Sequence, residues 1–272
     1  MTSATAAIVL AGGRSTRMGT PKGALEWHGS TLLRHATGIV ARVVDGPVVV
    51  VRAAGQELPA LAAGVEVAQD AREGRGPLEA IAAGLAAVGG RAQAVYVTGV
   101  DAPFLHPAFV RRVLELLGPH DDVALPRADG FAQPLAAAYR ATVDAPLSAL
   151  LREDRHLGTA ALMRRCRVHE LGAEKLLADP VLAALDPGLL SLRNVNEPGE
   201  YEAARAQPAP LVTVDVDGSG PRSLRAATLA GAALAAHIAL LDGVRADVNG
   251  RAVADPLEPL ATGDLVELRS HS

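Results

Sequence analysis

Two kinds of apolar pattern alternate along the first half of the chain. AAIVLA (6–11), PVVVVRA (47–53) and AQAVYVTGVD (92–101) are short, nearly unbroken runs, with GVEVAQD (64–70) as a fourth. Between them lie longer stretches with helical spacing, from about Thr31 to Val43, through PLEAIAAGLAAVG (77–89) and along PAFVRRVLELLG (107–118). A strand without a polar face is covered on both sides, as in a parallel sheet, and the interleaved helices supply the crossovers. The pattern predicts a doubly wound α/β domain whose site lies at the carboxyl ends of the strands.

Beyond Asp121 the sequence offers strand-like DVALPRA (122–128) and PLAAAYR (134–140). Two Arg-bearing helices follow, and then LLSLRNVNEP (189–198) reads as strand and loop. Two prolines in AQPAPL (206–211) disfavour helix and suit a linker. The remainder reads as strand (LVTVDVD), a helix over 224–241, strand (RADVNGRAV) and strand (DLVELRS), with Asn249-Gly250 as a type I′ hairpin signal. Two domains are therefore expected, 1–207 and a small α+β unit over 208–272.

Composition narrows the class. With 272 residues, 49% hydrophobic, 21% charged and a net charge of −4, the chain is of the ordinary soluble globular kind and lacks the basic excess of a nucleic-acid binder. The single cysteine, Cys166, excludes a disulfide scaffold and suits a reducing compartment. The first ten residues hold no Lys or Arg, so AAIVLA lacks the charged start of a signal peptide. The longest apolar run, 226–241, is shorter than the roughly 20 residues of a membrane span. A cytoplasmic protein with no membrane partner is expected. No histidine or cysteine spacing suggests zinc. Cys166, in MRRCRVHEL, reads as a buried thiol on a helix, with Arg164, Arg165 and Arg167 on its solvated face. Trp27, His28 and His35 read as packing or surface residues.

Three segments could carry chemistry. LAGGRSTRMGTPKGAL (10–25) follows the first strand and places Gly12, Gly13, Gly19, Arg14, Arg17 and Lys22 within eleven positions. Glycines there let backbone N–H groups turn toward an anion, and the cations neutralise it. It is neither a Walker loop nor a Gly-x-Gly-x-x-Gly turn. A glycine-rich turn without ligand is the alternative, and it leaves the three cations without a role. In AVYVTGVDAPF (94–104), Asp101 stands just past a buried strand, where a carboxylate can hold Mg²⁺ against a nucleotide's phosphates or cap a helix. In QDAREGRGPLEAIAAGL (69–85), Asp70 ends a strand and Gly74, Gly76 and Pro77 shape a turn whose backbone can read a base edge or a ribose hydroxyl.

These motifs, with PRADGFAQPLAAAYR (126–140) and LRNVNEPGEYEAA (192–204), resemble in order and spacing the molybdenum cofactor guanylyltransferases, within the Rossmann-like nucleotidyltransferases. The resemblance implies Mg²⁺-dependent transfer of GMP from GTP to molybdopterin, yielding the dinucleotide cofactor and pyrophosphate. It further implies that Leu10, Ala11, Gly12 and Gly13 wrap the nucleotide and that Arg17 and Lys22 hold its phosphates. Asp70 with Gly76, Pro77 and Leu78 would seat the guanosine, Asp101 would bind Mg²⁺, and Asn194 and Asn196 would lie on the acceptor side. Attack of one phosphate on another needs charge neutralisation and positioning more than a base. The chain departs from the family pattern at Pro21 and at Arg52-Ala53, where an aspartate and an asparagine are expected.

The C-terminal segment, with VNGR and GDLVEL, resembles the β-grasp small subunits of molybdopterin synthase and the thiamine-type sulfur carriers, without their terminal Gly-Gly. Docking to molybdenum cofactor pathway proteins, or packing alone, are the uses that remain. Two rival functions stay open: a CTP-using molybdopterin enzyme or sugar-phosphate nucleotidyltransferase, and a non-catalytic nucleotide-binding scaffold.

Overall fold

A computed structural model describes residues 4–12, 20–70, 76–153, 157–240 and 244–270. The first unit starts with β1 (Thr5–Leu10), a small hairpin of β2 (Glu26–Trp27) and β3 (Ser30–Thr31), α1 (Leu32–Ala41), β4 (Val48–Arg52), β5 (Glu66–Gln69), α2 (Pro77–Val88) and β6 (Ala94–Gly99). It continues with α3 (Pro107–Glu115), β7 (Val123–Ala128), β8 (Phe131–Ala132), β9 (Ala136–Arg140), α4 (Asp144–Leu151), α5 (Thr159–Met163), β10 (Val168–Leu171), α6 (Ala173–Leu177), α7 (Pro180–Leu185) and α8 (Pro198–Arg205). The main sheet runs β10-β7-β9-β6-β1-β4-β5, with β8 on β7. β5, β4, β1 and β6 are parallel, and β9 turns antiparallel against β6.

The unbroken apolar runs follow from this layering. Along β1, Ala7 and Val9 enter the core under α1 and α3, whereas Ala6, Ile8 and Leu10 enter the core under α2 and α4. Both faces of the strand are dry, so neither can carry a polar side chain cheaply. Helix α2 comes close to β1 at Gly84, where a Cβ would stand 2.7 Å from Ile8 Cδ1.

The second unit is built from β11 (Leu211–Val216), β12 (Arg222–Arg225), α9 (Leu229–Ala235), β13 (Val244–Val248), β14 (Arg251–Val253) and β15 (Leu265–Ser270). Its sheet is ordered β12-β11-β15-β13-β14, with β11 and β15 parallel at the centre. The sheet and α9 enclose their own core around Val214, Ala232, Leu260 and Val266. The Asn249-Gly250 turn joins β13 to β14, and both residues have positive φ as a type I′ turn requires.

Three expectations are corrected. The helix expected over 224–241 spans only Leu229–Ala235. Arg222–Arg225 pairs with β11 instead, and Thr228 caps the helix by accepting from the Gly231 amide. The helix closes where His237 takes φ 63° and the Ile238 amide reaches back to the Ala233 carbonyl, a Schellman ending. LLSLRNVNEP forms no strand: Leu189 is left-handed, and the Asp186 carboxylate takes the Leu190 and Ser191 amides, folding a 3₁₀ turn. Cys166 is half-buried in the bend between α5 and β10 rather than buried on a helix, and its thiol pKa is raised, first by burial and then by Asp122. Of the neighbouring arginines, Arg165 pairs with Glu153 and Arg167 with Asp122.

The two units touch along α1. Arg34 pairs with Asp255, and Arg42 Nη1 reaches Asp264 Oδ2 at 2.7 Å. Gly38 lies between these arginines, where a Cβ would fall on the Pro259 ring. Among the described residues no helix is long and apolar enough to cross a membrane.

Candidate active site

At the carboxyl end of β1 the backbone stays close to β4: the Ala11 and Gly12 amides both donate to the Val51 carbonyl, at 2.8 and 3.2 Å. Leu10 and Ala11 are buried there, and Gly12 faces Ala53, whose amide nitrogen would lie 3.2 Å from a Cβ. The loop therefore leaves the sheet at a point too close to β4 for most side chains. Gly13 and Arg17 lie outside the described residues. Lys22 is the first residue of a 3₁₀ turn over Lys22–Ala24.

Lys22 is the centre of the arrangement. Its Nζ donates to Asp101 Oδ2 at 3.2 Å and to Asn196 Oδ1 at 2.9 Å, so residues far apart in sequence converge beyond the ends of β1 and β6. The Lys22 and Asp101 side chains retain 18% and 23% exposure, which leaves the pair open to a ligand. Asp101 curls back over its own strand: a Cβ on Gly99 would fall on Asp101 Oδ1. The Asp101 carbonyl accepts from the Val195 amide at 2.8 Å, tying the segment 194–196 to the end of β6. Val195 is buried with Trp27, Leu32 and Ala204, and this burial holds its exposed neighbours Asn194 and Asn196 at the site.

The Gly99 contact carries a test. Gly99→Ala should leave the fold intact but displace the Asp101 carboxylate and lower kcat by about tenfold or more, in keeping with the cost of misplacing a charge by an ångström. Unchanged kinetics would show that the carboxylate needs no such seat.

Asp70 directly follows β5, half-buried, with its amide on the Arg52 carbonyl at 2.8 Å. Gly76 is exposed at φ 83°, where an L side chain is strained, and caps α2 with Pro77 at its first turn. Leu78 turns its side chain into the core under α2. These residues line the same edge of the sheet as Lys22 and Asp101, across the end of β4.

Two contributors were not foreseen. Gln56 bridges the loops after β1 and β4, its Nε2 donating to the Ala11 carbonyl at 2.9 Å and its Oε1 accepting from the Ala53 amide at 3.0 Å. It puts a side-chain amide beside Arg52-Ala53, the place where the family pattern has an asparagine. Glu200 accepts from the Asn196 and Glu197 amides, at 2.7 and 3.2 Å, and forms a capping box on α8. The Asn196 amide is the main cause that holds the Glu200 carboxyl below its usual range. The signal for it in the sequence is Glu197-x-x-Glu200 at a helix start.

Behind the site His35 is buried, and this burial lowers its pKa to about 4. Burial likewise lowers His28 and His106. A histidine kept neutral in the fold but titrating near 6.5 when unfolded contributes stability that is full above pH 6.5 and is lost as pH falls toward 4. Unfolding midpoints should fall through that window, and His35→Phe should flatten the fall.

Among the described residues no three His, Cys, Asp or Glu side chains cluster as a metal cage. Mg²⁺ needs no such cage, since one or two carboxylates together with substrate phosphates hold it. Asp101, a partly exposed hard-oxygen donor beside an ammonium group, fits that use. Among the described residues, Lys22 can meet phosphate charge and the Asp101 carboxylate beside it can meet a cation.

An open carboxyl edge with a glycine loop, a lysine and a lone aspartate is the equipment of a nucleotidyltransferase, and that is the class of this enzyme. The chain belongs to the MobA-like NTP transferase domain family, whose model matches residues 7–171. It is 31% identical over 176 residues to a probable molybdenum cofactor guanylyltransferase of Bacillus cereus (strain Q1), covering 64% of this chain and 86% of that protein. A Bacillus anthracis protein of the same description is 30% identical over 176 residues with the same coverage. Among solved structures, molybdopterin-guanine dinucleotide biosynthesis protein A from Archaeoglobus fulgidus superposes with a TM-score of 0.55 at 22% identity, covering 74% of this chain and 96% of that one. A nucleotidyl transferase from Methanothermobacter thermautotroptrophicus gives 0.53 at 19% identity, with 74% and 96% covered. Asn194, Asn196 and the whole second unit lie beyond the matched family segment.

Proposed function

We propose that this enzyme transfers GMP from GTP to the terminal phosphate of molybdopterin, forming the guanine dinucleotide cofactor and releasing pyrophosphate. The observation that carries the reading is the convergence of Lys22, Asp101 and Asn196 at the end of β6, in a chain whose matched relatives are described as molybdenum cofactor guanylyltransferases. An acceptor phosphate oxygen attacks the α-phosphorus of GTP, and the bond to the β-phosphate oxygen breaks. Lys22 and Arg17 neutralise the phosphates, and the backbone of Leu10 to Gly13 wraps them. Asp70 and the Gly76–Leu78 backbone seat the guanosine, while Asn194 and Asn196 meet the acceptor. Asp101 would hold Mg²⁺, which when bound spreads the charge that develops on the phosphates. In this reading Asn196 is placed by Glu200 and acts from a fixed backbone.

The division of labour is part of the same proposal. Residues 1–207 carry the transfer, and residues 208–272 form a β-grasp unit that docks pathway partners. The strand order β12-β11-β15-β13-β14 with α9 across one face supports the β-grasp reading.

Calorimetric titration of GTP and of CTP, each with Mg²⁺, into the purified chain tests the base. GTP-selective binding, followed by conversion of molybdopterin to its guanine dinucleotide, is the expected result. Preference for CTP would reassign the protein to the cytidylyl transfer reaction, and binding of neither would overturn the proposal.

A further inference from the structure

The turn that follows β4 is closed by the Gln56 amide on the Ala53 carbonyl at 3.2 Å, with Gly55 in the left-handed region at φ 70°. Glycine takes that angle without strain, so the chain reverses sharply and carries the Gln56 side chain back over Ala53. Arg52 fixes the turn from the strand side, its Nη1 donating to the Gln56 carbonyl at 2.8 Å. Both backbone groups of Gln56 are thus held within the turn, and its side chain reaches out of it.

What it reaches is the root of the glycine loop. Ala11 is 5% exposed, and its amide, like that of Gly12, is taken by the Val51 carbonyl. The Gln56 side chain gives the buried Ala11 carbonyl its partner, and with its oxygen it accepts from the Ala53 amide. That same Ala53 nitrogen is the atom a Cβ on Gly12 would meet at 3.2 Å. Gly12 therefore lets the two backbones approach, and Gln56 fastens them. The fastening needs a donor and an acceptor on one short group, which a primary amide has and a carboxylate lacks. A glutamate in this place would set an oxygen against the Ala11 carbonyl.

We propose that Gln56 is a positioning residue for the nucleotide: it holds the root of the loop after Leu10 in the shape that receives the phosphates, and so sets nucleotide affinity without touching the reacting atoms. The inference rests on the reading of this edge as the nucleotide site, and it applies whichever base is bound. The turn is tied to the other half of that edge as well, since the Arg52 carbonyl accepts from the Asp70 amide at 2.8 Å. An unfastened loop spends part of its time in shapes that do not bind, and the apparent affinity falls by the competent fraction. Once the nucleotide is bound the competent shape is selected, and transfer from the complex proceeds as before. The loss of Gln56 is therefore read in KM for the nucleotide rather than in kcat.

The test compares the full-length parent with Gln56→Met, which keeps the volume and loses both hydrogen bonds, and with Gln56→Glu, which keeps the acceptor for Ala53 and loses the donor to Ala11. Calorimetric titration with GTP and Mg²⁺, steady-state transfer to molybdopterin and a thermal melt are read for each. Both variants should bind GTP at least about tenfold more weakly, or 1.4 kcal/mol, with KM for GTP raised to match. Their kcat at saturating GTP should stay within about threefold of the parent, the split that marks a loss of binding alone. For a parent that prefers CTP, the same variants are titrated with CTP and the same loss is expected. Variants that bind as tightly as a parent that itself binds would overturn the inference alone. So would a fall in kcat as large as the rise in KM, or a melting temperature lowered by more than about 10 °C, which would make the role catalytic or merely structural. A parent that binds no nucleotide would overturn the reading of the edge and this inference with it.

Discussion

Asp101→Asn is expected to lower kcat by about a thousandfold while the melting temperature stays within a few degrees of the parent. The carboxylate is partly exposed and touches Lys22 at 3.2 Å, so the pair adds little to stability, of the order of 1 kcal/mol or less, as for other solvated ion pairs. Its worth is in the reaction. Removing one preorganised charge contact from a transition state costs about 2.7–4 kcal/mol, which is two to three powers of ten in rate. Asn keeps the shape and the fit over Gly99 but not the charge, so Lys22 would keep its bond to Asn196 and lose its counter-charge. Steady-state kinetics with product detection, alongside a thermal melt, separates the two effects. Activity within threefold of the parent would mean that the carboxylate does not face the reacting phosphates.

The second large effect falls on stability. Asp264→Ala is expected to cost about 3–5 kcal/mol, the usual loss when one partner of a buried ion pair is removed. The Arg42 and Asp264 side chains are only 9% and 6% exposed, and Asp264 also accepts from the Asn249 side chain at 2.8 Å and the Ala261 amide at 2.7 Å. Without it, a guanidinium is left in a nearly dry seam against the Pro259 carbonyl alone. Chemical denaturation followed by circular dichroism measures the loss. Arg42→Leu combined with Asp264→Leu should recover only part of it, because the lone buried guanidinium is gone but the Ala261 amide and the Asn249 side chain still lack their acceptor. A loss below about 1 kcal/mol for Asp264→Ala would show that water reaches the pair.

Much of this was legible before any coordinates. The dry strands β1, β4 and β6 are readable because both of their faces must be apolar, which leaves an unmistakable run of Val, Ile and Ala. Lys22 and Asp101 are readable because charged residues stand at the ends of such runs. The resemblance implies only that Asn196 lies on the acceptor side; its contact with Lys22, 174 residues away, has no signal in the sequence. What escaped depends on partners that composition does not name. Arg222–Arg225 has no strand pattern of its own and is extended because β11 offers it a ladder. The Ala-rich run after it looked helical throughout, yet the backbone turns left-handed at His237 and ends the helix early. Gln56 is an ordinary loop residue in sequence, and only the approach of two loops gives its amide both a donor and an acceptor.

The placing of β15 has a consequence for biosynthesis. It lies between β11 and β13, parallel to one and antiparallel to the other, yet it is the last strand of its sheet to leave the ribosome. Until residues 265–270 emerge, the hairpins β11–β12 and β13–β14 have no common partner, and each exposes an edge open to another chain. The first unit can meanwhile complete its sheet, because every strand of that sheet precedes Gly172. Nascent chains stalled before residue 265 should therefore carry a folded transferase sheet and an unpaired, association-prone second unit, so translation pauses just before β15 would be costlier than pauses before β11.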